Sequence, residues 1–126
     1  AKAADHILIG SFLNLDAVCK HLVELNKNVI LLCAGWKDRF NLEDSLFAGA
    51  VVEQLAQTDV YTGLADSSLA ALNIYNSAKS DLNNFLKSSS HRNRLAKLDL
   101  EKDIRYCLQT NTMDLVPVFK GNGLSL

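Results

Sequence analysis

Two short aliphatic runs separated by a helical pattern constrain the fold of this chain more than any other feature. Residues 7–9 and 29–32 are aliphatic and largely β-branched, and each run has the length of a buried strand. Between them, apolar residues recur at helical spacing and stop at the turn-forming residues 26–28. A strand, a helix and a second strand within about 30 residues predict a βαβ unit with a right-handed parallel crossover.

The remaining patterns extend this unit into an α/β fold. Residues 115–119 are apolar and extended, and their proline favours a sheet edge or the start of a strand. The Ala48-Gly49-Ala50 triplet lies within a helical pattern and requires close packing, for which the face of a sheet is the simplest partner. Helices are expected over 42–57, from 66 or 67 to about 87, over 92–98 and near 100–109.

We therefore expect one layered α/β/α domain over residues 1–126, with a mostly parallel sheet flanked by helices. The chain has 126 residues, 48% of them hydrophobic, and one proline, which is enough for a substantial core. With a formal charge of -1, the chain has no overall positive field that would attract nucleic acid or an anionic membrane. No apolar stretch reaches the roughly 20 residues of a membrane helix, so we expect a soluble protein.

The three cysteines are odd in number and far apart, without a C-x-x-C motif. A zinc site or a disulfide framework is therefore not expected, and a reducing cytoplasm fits best. Cys33 ends the second predicted strand, but a nucleophilic cysteine requires a paired histidine, which the sequence does not indicate.

Polar chemistry concentrates in the loop 33–44, between the second predicted strand and the third helix. Such loops lie at the carboxyl ends of strands, where α/β proteins bind ligands. The Asn41-Leu42-Glu43-Asp44 segment fits a helix cap, with Asn41 accepting backbone N–H groups and Asp44 answering from the third helical position. Alternatively, one or both of the carboxylates Glu43 and Asp44 bind a divalent cation such as Mg²⁺, which takes oxygen ligands and recruits phosphate.

Four more side chains are candidates for substrate binding, each with a structural alternative. Lys37 and Arg39 are either solvated loop charges or contacts for phosphate or sulfonate oxygens. Ser11 and Asn14 follow the first strand, where they either cap a helix or face the same crevice as the loop. His91, near Arg92 and Arg94, lies either in a surface turn or in an anion-binding site at a helix N-terminus.

The order of short motifs along the chain resembles the 2-phosphosulfolactate phosphatase family. The motifs that carry the resemblance are Ile9-Gly10-Ser11-Phe12-Leu13-Asn14, Cys33-Ala34-Gly35, Phe40-Asn41-Leu42-Glu43-Asp44, Ala48-Gly49-Ala50, Ser89-Ser90-His91 with Leu95, Asp103-Ile104, Cys107 and Val116-Pro117-Val118. The resemblance implies a Mg²⁺-dependent phosphatase that hydrolyses 2-phospho-3-sulfolactate to sulfolactate and phosphate, a step towards coenzyme M. Together with the residue patterns, it predicts Asp44 as a metal ligand, Glu43 as a second ligand or base, and Gly35 as a further substrate-binding residue.

The resemblance also has two departures. Family members are about twice as long, and this chain resembles their C-terminal half, so catalytic residues of the front half cannot be assigned here. Arg92-Asn93 stands where the family pattern has a glycine after the histidine, which weakens an anion-binding turn at His91. The chain is thus expected to be half of a larger enzyme and a homo-oligomer; the alternative is an inactive fragment or a subunit-interaction domain.

Overall fold

The computed structural model describes residues 3–98 and 100–126, without the side chains of His91 and Ala96. Helices dominate this part of the chain, and none of them combines the length and apolar character that a membrane crossing requires. The helices are α1 (Leu15–Leu25), α2 (Leu42–Ala56), α3 (Asp66–Ala78), α4 (Leu82–Phe85), α5 (Ser90–Lys97) and α6 (Glu101–Cys107), with 3₁₀ turns at Phe12–Asn14 and Leu86–Ser88 and strands β1 (Val118–Phe119) and β2 (Leu124–Ser125).

Helix α1 ends, and helix α2 begins, where the sequence predicts. Asn26 ends α1 in the left-handed conformation (φ 51°), and its N–H donates to the Leu22 carbonyl. Asn41 caps α2, because its side-chain oxygen accepts the N–H groups of Glu43 and Asp44. The pattern predicted over 66–87 is interrupted, since Asp81 begins α4 by accepting the Asn84 N–H.

Helix α2 lies at the centre of the core. Its buried residues occupy every side of the helix, and Leu46 and Val51 have no solvent exposure. A helix that is apolar all round must be covered by neighbours on several sides. Here α1 and α3 pack against α2, and Phe47 meets the Phe12 ring edge-to-face at 5.6 Å between centroids.

The Ala48-Gly49-Ala50 triplet packs against a helix, so the expectation of a sheet face was wrong. A methyl carbon built at Gly49 would lie 2.2 Å from the Ala71 carbonyl oxygen and 2.6 Å from Tyr75 Cβ. Both residues belong to α3. Glycine therefore allows the backbones of α2 and α3 to approach more closely than any side chain would permit.

The expected layered α/β/α fold with a parallel sheet was also wrong for the described residues. The only sheet there pairs β1 with β2 in antiparallel register. The first predicted strand does form a bridge, but it is antiparallel, between Leu8 and Val118. The Pro117 carbonyl accepts the Ile9 N–H at 2.9 Å just before β1, which confirms the expected strand start at the proline.

The second predicted strand, residues 29–32, has no strand partner in the described part of the chain. Val29 and Leu31 pack on the core, whereas Ile30 is 90% and Leu32 is 75% exposed. This alternation is that of a strand with one buried face. An aliphatic run indicates an extended, partly buried segment, but it does not identify the partner, and the C-terminal segment pairs with the first run instead.

Substitution of Gly49 by alanine is expected to lower the free energy of unfolding by about 1–3 kcal/mol. The new methyl group meets the α3 backbone, which outweighs the roughly 1 kcal/mol that alanine gains in helix propensity. Chemical denaturation followed by circular dichroism measures the change. Gly63→Ala is the matched control, since no atom lies within 4 Å of a methyl group there; equal stability of both variants would contradict the proposed close approach.

Candidate functional site

A tight two-residue turn presents the charged part of the loop 33–44. The Trp36 N–H donates to the Arg39 carbonyl at 3.1 Å, and the Arg39 N–H donates to the Trp36 carbonyl at 3.0 Å. Lys37 and Asp38 between them both have positive φ, 49° and 59°. These are the features of a type I′ turn. The turn fixes the backbone of the predicted anion-binding residues Lys37 and Arg39 and leaves both side chains exposed.

Asp44 and Gly35, both predicted site residues, are in direct contact. Asp44 Oδ2 accepts the Gly35 N–H at 2.7 Å. Asp44 thus fastens the loop to the first turn of α2, where a carboxylate is also favoured by the helix dipole. The predicted cap is confirmed for Asn41, but Asp44 does not return to the cap backbone; its carboxylate binds Gly35 instead.

Gly35 is required by this arrangement for two reasons. Its φ is 71°, and a methyl group at this position would lie 2.6 Å from the Arg39 carbonyl oxygen. That carbonyl closes the turn 36–39. The backbone at Gly35 therefore lies against the turn on one side and the Asp44 carboxylate on the other.

The predicted metal ligands Glu43 and Asp44 are adjacent and half-buried. The hydrogen bond from Gly35 uses Asp44 Oδ2, and Oδ1 accepts no hydrogen bond from the described residues. No group of three or more His, Cys, Asp or Glu residues in the described part of the chain could hold a metal ion. Two neighbouring carboxylates are the number that Mg²⁺ commonly takes from a protein, with water and phosphate oxygens completing its shell.

Cys33 lies near the same carboxylate but is not activated. Burial, followed by the Asp44 charge, raises the pKa of Cys33, and a hydrogen bond with Ser45 only partly opposes this. A raised pKa leaves less thiolate at neutral pH. The raised pKa does not favour a nucleophilic Cys33, and its predicted lack of such a role stays a prediction.

Two cationic side chains lie within cation–π distance of the indole ring of Trp36. Lys37 Nζ lies 5.7 Å and Arg94 Cζ lies 5.1 Å from the ring centroid. Arg94 comes from α5, far along the chain from the loop. In the sequence, Arg94 is only one of two arginines beside His91, and no spacing rule connects it with Trp36. The contact between Arg94 and the loop is therefore visible only in the folded chain.

Asn14 is engaged in structural hydrogen bonds. Its amide nitrogen donates to the Ile9 carbonyl at 3.2 Å and the Leu115 carbonyl at 2.9 Å, while its oxygen accepts the Ser11 N–H at 2.8 Å. Ser11 and Asn14 line a mostly apolar cavity of about 210 Å³ that includes no residue of the loop 33–44. The geometry thus favours the structural alternative for Asn14 and does not bring this pair to the loop.

The His91 side chain lies outside the described residues, so its predicted role stays a prediction. Around it, the start of α5 has a structural use: Ser89 Oγ accepts the Arg92 N–H at 3.0 Å. Arg92 is buried, donates to the backbone and side chain of Asn83, and forms an ion pair with Glu101. These bonds join α4, α5 and α6, so Arg92 has a structural role.

Comparison with known proteins shows which family this chain belongs to. A family model described as 2-phosphosulpholactate phosphatase matches residues 1–122. The chain belongs to this family. It is 36% identical to a probable 2-phosphosulfolactate phosphatase of Symbiobacterium thermophilum over 119 residues. These aligned residues cover 94% of this chain and 51% of that protein. Identity is 39% over 114 residues with the Thermotoga petrophila protein of the same description, covering 90% of this chain and 48% of the relative.

A third relative is covered to a similar extent. The probable 2-phosphosulfolactate phosphatase of Synechocystis is 35% identical over 118 residues, which cover 92% of this chain and 49% of the relative. The chain thus spans about half the length of the curated relatives it matches. The family resemblance drawn from the motifs is confirmed.

Substitution of Gly35 by alanine is expected to destabilise the loop and the fold. A left-handed alanine costs about 1–2 kcal/mol, and the clash with the Arg39 carbonyl adds to this cost. Gly121→Ala is the matched control, because Gly121 has nearly the same φ of 70° but open space around it. Chemical denaturation and Trp36 fluorescence measure both variants. A loss no larger for Gly35→Ala than for Gly121→Ala would contradict the role assigned to the close contact.

Proposed function

We propose that this chain forms part of a Mg²⁺-dependent phosphatase that hydrolyses 2-phospho-3-sulfolactate, or a similar small phosphorylated hydroxy acid, to the free acid and phosphate. Membership of the family supports the reaction class. The observation that carries the assignment of the site is the Asp44–Gly35 hydrogen bond, which holds a carboxylate at the start of α2 beside the basic turn. The free thiols Cys19, Cys33 and Cys107 support a reducing compartment such as the cytoplasm.

In this proposal Asp44 holds the metal through the oxygen that Gly35 does not use, and Glu43 is a second ligand or a base. When bound, Mg²⁺ would neutralise charge on the phosphoryl oxygens. Lys37 and Arg39 would bind anionic oxygens of the substrate.

The chemical step is an in-line displacement at phosphorus. A water oxygen forms the new bond to phosphorus, and a carboxylate, Glu43 in this proposal, accepts the proton of that water. The bond between phosphorus and the ester oxygen breaks, and that oxygen takes up a proton to become the hydroxyl group of the product acid. Cationic side chains that lie on fixed backbone contribute by stabilising the charge that develops on the phosphoryl group.

Substitution of Asp44 by asparagine tests the metal ligand. The amide oxygen of asparagine can still accept the Gly35 N–H, so the loop is expected to stay folded, while the loss of charge lowers phosphate release at least about 100-fold. Phosphate release from 2-phospho-3-sulfolactate is measured with and without Mg²⁺, with the chain joined to the remaining half of the Symbiobacterium thermophilum relative so that the family length is complete.

The matched control for that experiment is Asp38→Asn, which removes an exposed carboxylate from the neighbouring turn and keeps a residue type that tolerates positive φ. Its activity is expected to stay within about twofold of the unmodified protein. Equal activity of the Asp44→Asn and Asp38→Asn variants, with normal melting of both, would contradict the assignment of Asp44.

A second candidate function, a subunit-interaction domain without activity of its own, is favoured by the exposed segment 29–32. Ile30 and Leu32 point away from the core, and the backbone of this segment forms no strand pair in the described part of the chain. An unpaired apolar edge is a template for another strand. We propose that its occupant is an extended segment from the half of the family length that this chain does not span, and that without it the chain self-associates.

Substitution of Ile30 by lysine tests this interface. The purified chain and the remaining half of the Symbiobacterium thermophilum relative are mixed, and binding is followed by sedimentation. Ile30→Lys is expected to weaken binding at least tenfold, because a charge on a strand edge opposes pairing. Leu124→Lys, at a 60% exposed position on β2, is the control and should leave binding unchanged. A monomeric chain that turns over the substrate alone would rule out this candidate.

A further inference from the structure

We propose that the turn between β1 and β2 is a site of self-modification, at which Asn122 loses its side-chain amide and becomes aspartate or isoaspartate. The backbone nitrogen of Gly123 attacks the Asn122 side chain, and the only co-reactant is water. The inference is independent of the proposed phosphatase function, because the reaction uses no residue of the candidate site.

The first support is the residue that follows Asn122. The chain has eleven asparagines, and only Asn122 is followed by glycine. A glycine has no side chain to obstruct the approach of its own nitrogen, and its backbone rotates more freely than that of any other residue. Asparagine is also among the residues that are least resistant to heat. Asn122 is therefore the asparagine of this chain with the least hindered neighbour.

The second support is the exposure of the turn 120–123. Asn122 and Gly123 are both exposed, and no atom of the described residues lies within 4 Å of a methyl group built at Gly123. The Lys120 N–H donates to the Gly123 carbonyl at 2.8 Å, and the Asn122 N–H donates to the Lys120 carbonyl at 2.7 Å. The Gly123 N–H donates to no acceptor among the described residues. The attacking nitrogen can therefore lose its proton to solvent without breaking a hydrogen bond of the fold.

The third support is the small number of contacts that hold this end of the hairpin. Strand β2 has two residues, both exposed, and it pairs with β1 alone in the described part of the chain. Such a segment moves locally at little cost in free energy, because few buried contacts are lost. The backbone at Asn122 can therefore rotate until the Gly123 nitrogen meets the side-chain carbon.

The fold protects other asparagines that could react. After Asn122, Asn76 has the smallest following residue, Ser77. Both lie within α3, where a helical N–H group donates to the carbonyl four residues earlier and is held there. Asn14 and Asn41 use their side chains in hydrogen bonds with the backbone. The folded chain thus directs the reaction to the turn 120–123.

The first step forms a ring. The Gly123 nitrogen gives up its proton to solvent and forms a bond to the side-chain carbonyl carbon of Asn122. The bond from that carbon to the amide nitrogen breaks, and the amide leaves with a proton from solvent as ammonia. The product is a cyclic succinimide that joins the two residues, and no oxidant or reductant is needed.

The second step opens the ring with water. The water oxygen bonds to one of the two ring carbonyl carbons, and the bond from that carbon to the Gly123 nitrogen breaks as the nitrogen regains a proton. Opening at the side-chain carbon leaves aspartate at position 122 on a normal backbone. Opening at the backbone carbon leaves isoaspartate, whose main chain runs through the side chain and is longer by one carbon.

Both products alter the hairpin. A neutral amide becomes a carboxylate, so the formal charge of the chain becomes one unit more negative than -1. Isoaspartate also lengthens the turn that sets Val118 opposite Ser125 and Phe119 opposite Leu124, so β2 is expected to separate from β1. The other edge of β1 should stay paired, since the Phe119 N–H donates to the Ile7 carbonyl at 3.0 Å, away from the turn.

Incubation of the purified 126-residue chain at mildly alkaline pH tests the site, because a higher pH removes more of the amide protons. Ion-exchange chromatography separates the more negative product, and peptide mapping by mass spectrometry locates it. Methyl transfer by an isoaspartyl methyltransferase detects the isoaspartate. Conversion at Asn122 is expected to be faster than at each of the other ten asparagines.

Variants of two open glycines separate the role of Gly123 from general effects of substitution. Gly123→Val is expected to slow conversion of Asn122 at least about tenfold, because a β-branched side chain is stiff and crowds the attacking nitrogen. Gly63→Val is the matched control, since Gly63 also has open space around it but follows a threonine. The rate at Asn122 in that variant should equal the rate in the unmodified chain.

The same incubation in guanidinium chloride measures what the fold contributes. Unfolding is expected to accelerate conversion of Asn76, which α3 no longer protects, and to leave the rate at Asn122 nearly unchanged. Equal rates at Asn122 in the unmodified and Gly123→Val chains would overturn the proposal. So would a folded chain in which Asn122 reacts no faster than the other asparagines, or reacts far more slowly than in the unfolded chain.

Discussion

The close crossing of α2 and α3 at Gly49 is the contact on which the rest of this structure depends. It brings α3 against the backbone of α2, so that the most apolar helix of the chain is covered on that side. Phe12 and α1 cover other sides through Phe47 and the core. Because α2 is fixed by packing along its length, its first turn is also fixed, and that turn carries the carboxylates of the candidate site.

In the candidate site, one side chain orders the loop and would also take part in the proposed chemistry. Asp44 uses one carboxylate oxygen to hold the Gly35 N–H and thereby orders the loop, while the other oxygen takes no bond from the described residues. This backbone contact restricts the orientation of the Asp44 carboxylate. Asn14 illustrates the opposite case, since its donors and its acceptor oxygen all hold backbone groups together.

Neighbouring arginines on α5 likewise have different uses. Arg92 is buried and holds three helices together, whereas Arg94 reaches the ring of Trp36 across the loop. Their separation by two residues points them to different sides of the helix. Charge alone therefore does not predict what an arginine contacts; the position of its guanidinium relative to the core decides.

Local signals in the sequence determined the ends of α1 and α2, the cap at Asn41, the turn-forming loop and, through the order of motifs, the family. These features depend on residues a few positions apart, whose hydrogen bonds and backbone preferences act wherever the chain folds. The strand pairing, the helical partner of Gly49 and the meeting of Arg94 with Trp36 were decided only by the tertiary structure. Each joins segments far apart in the chain, and an apolar run or a glycine specifies that something must pack there without specifying what.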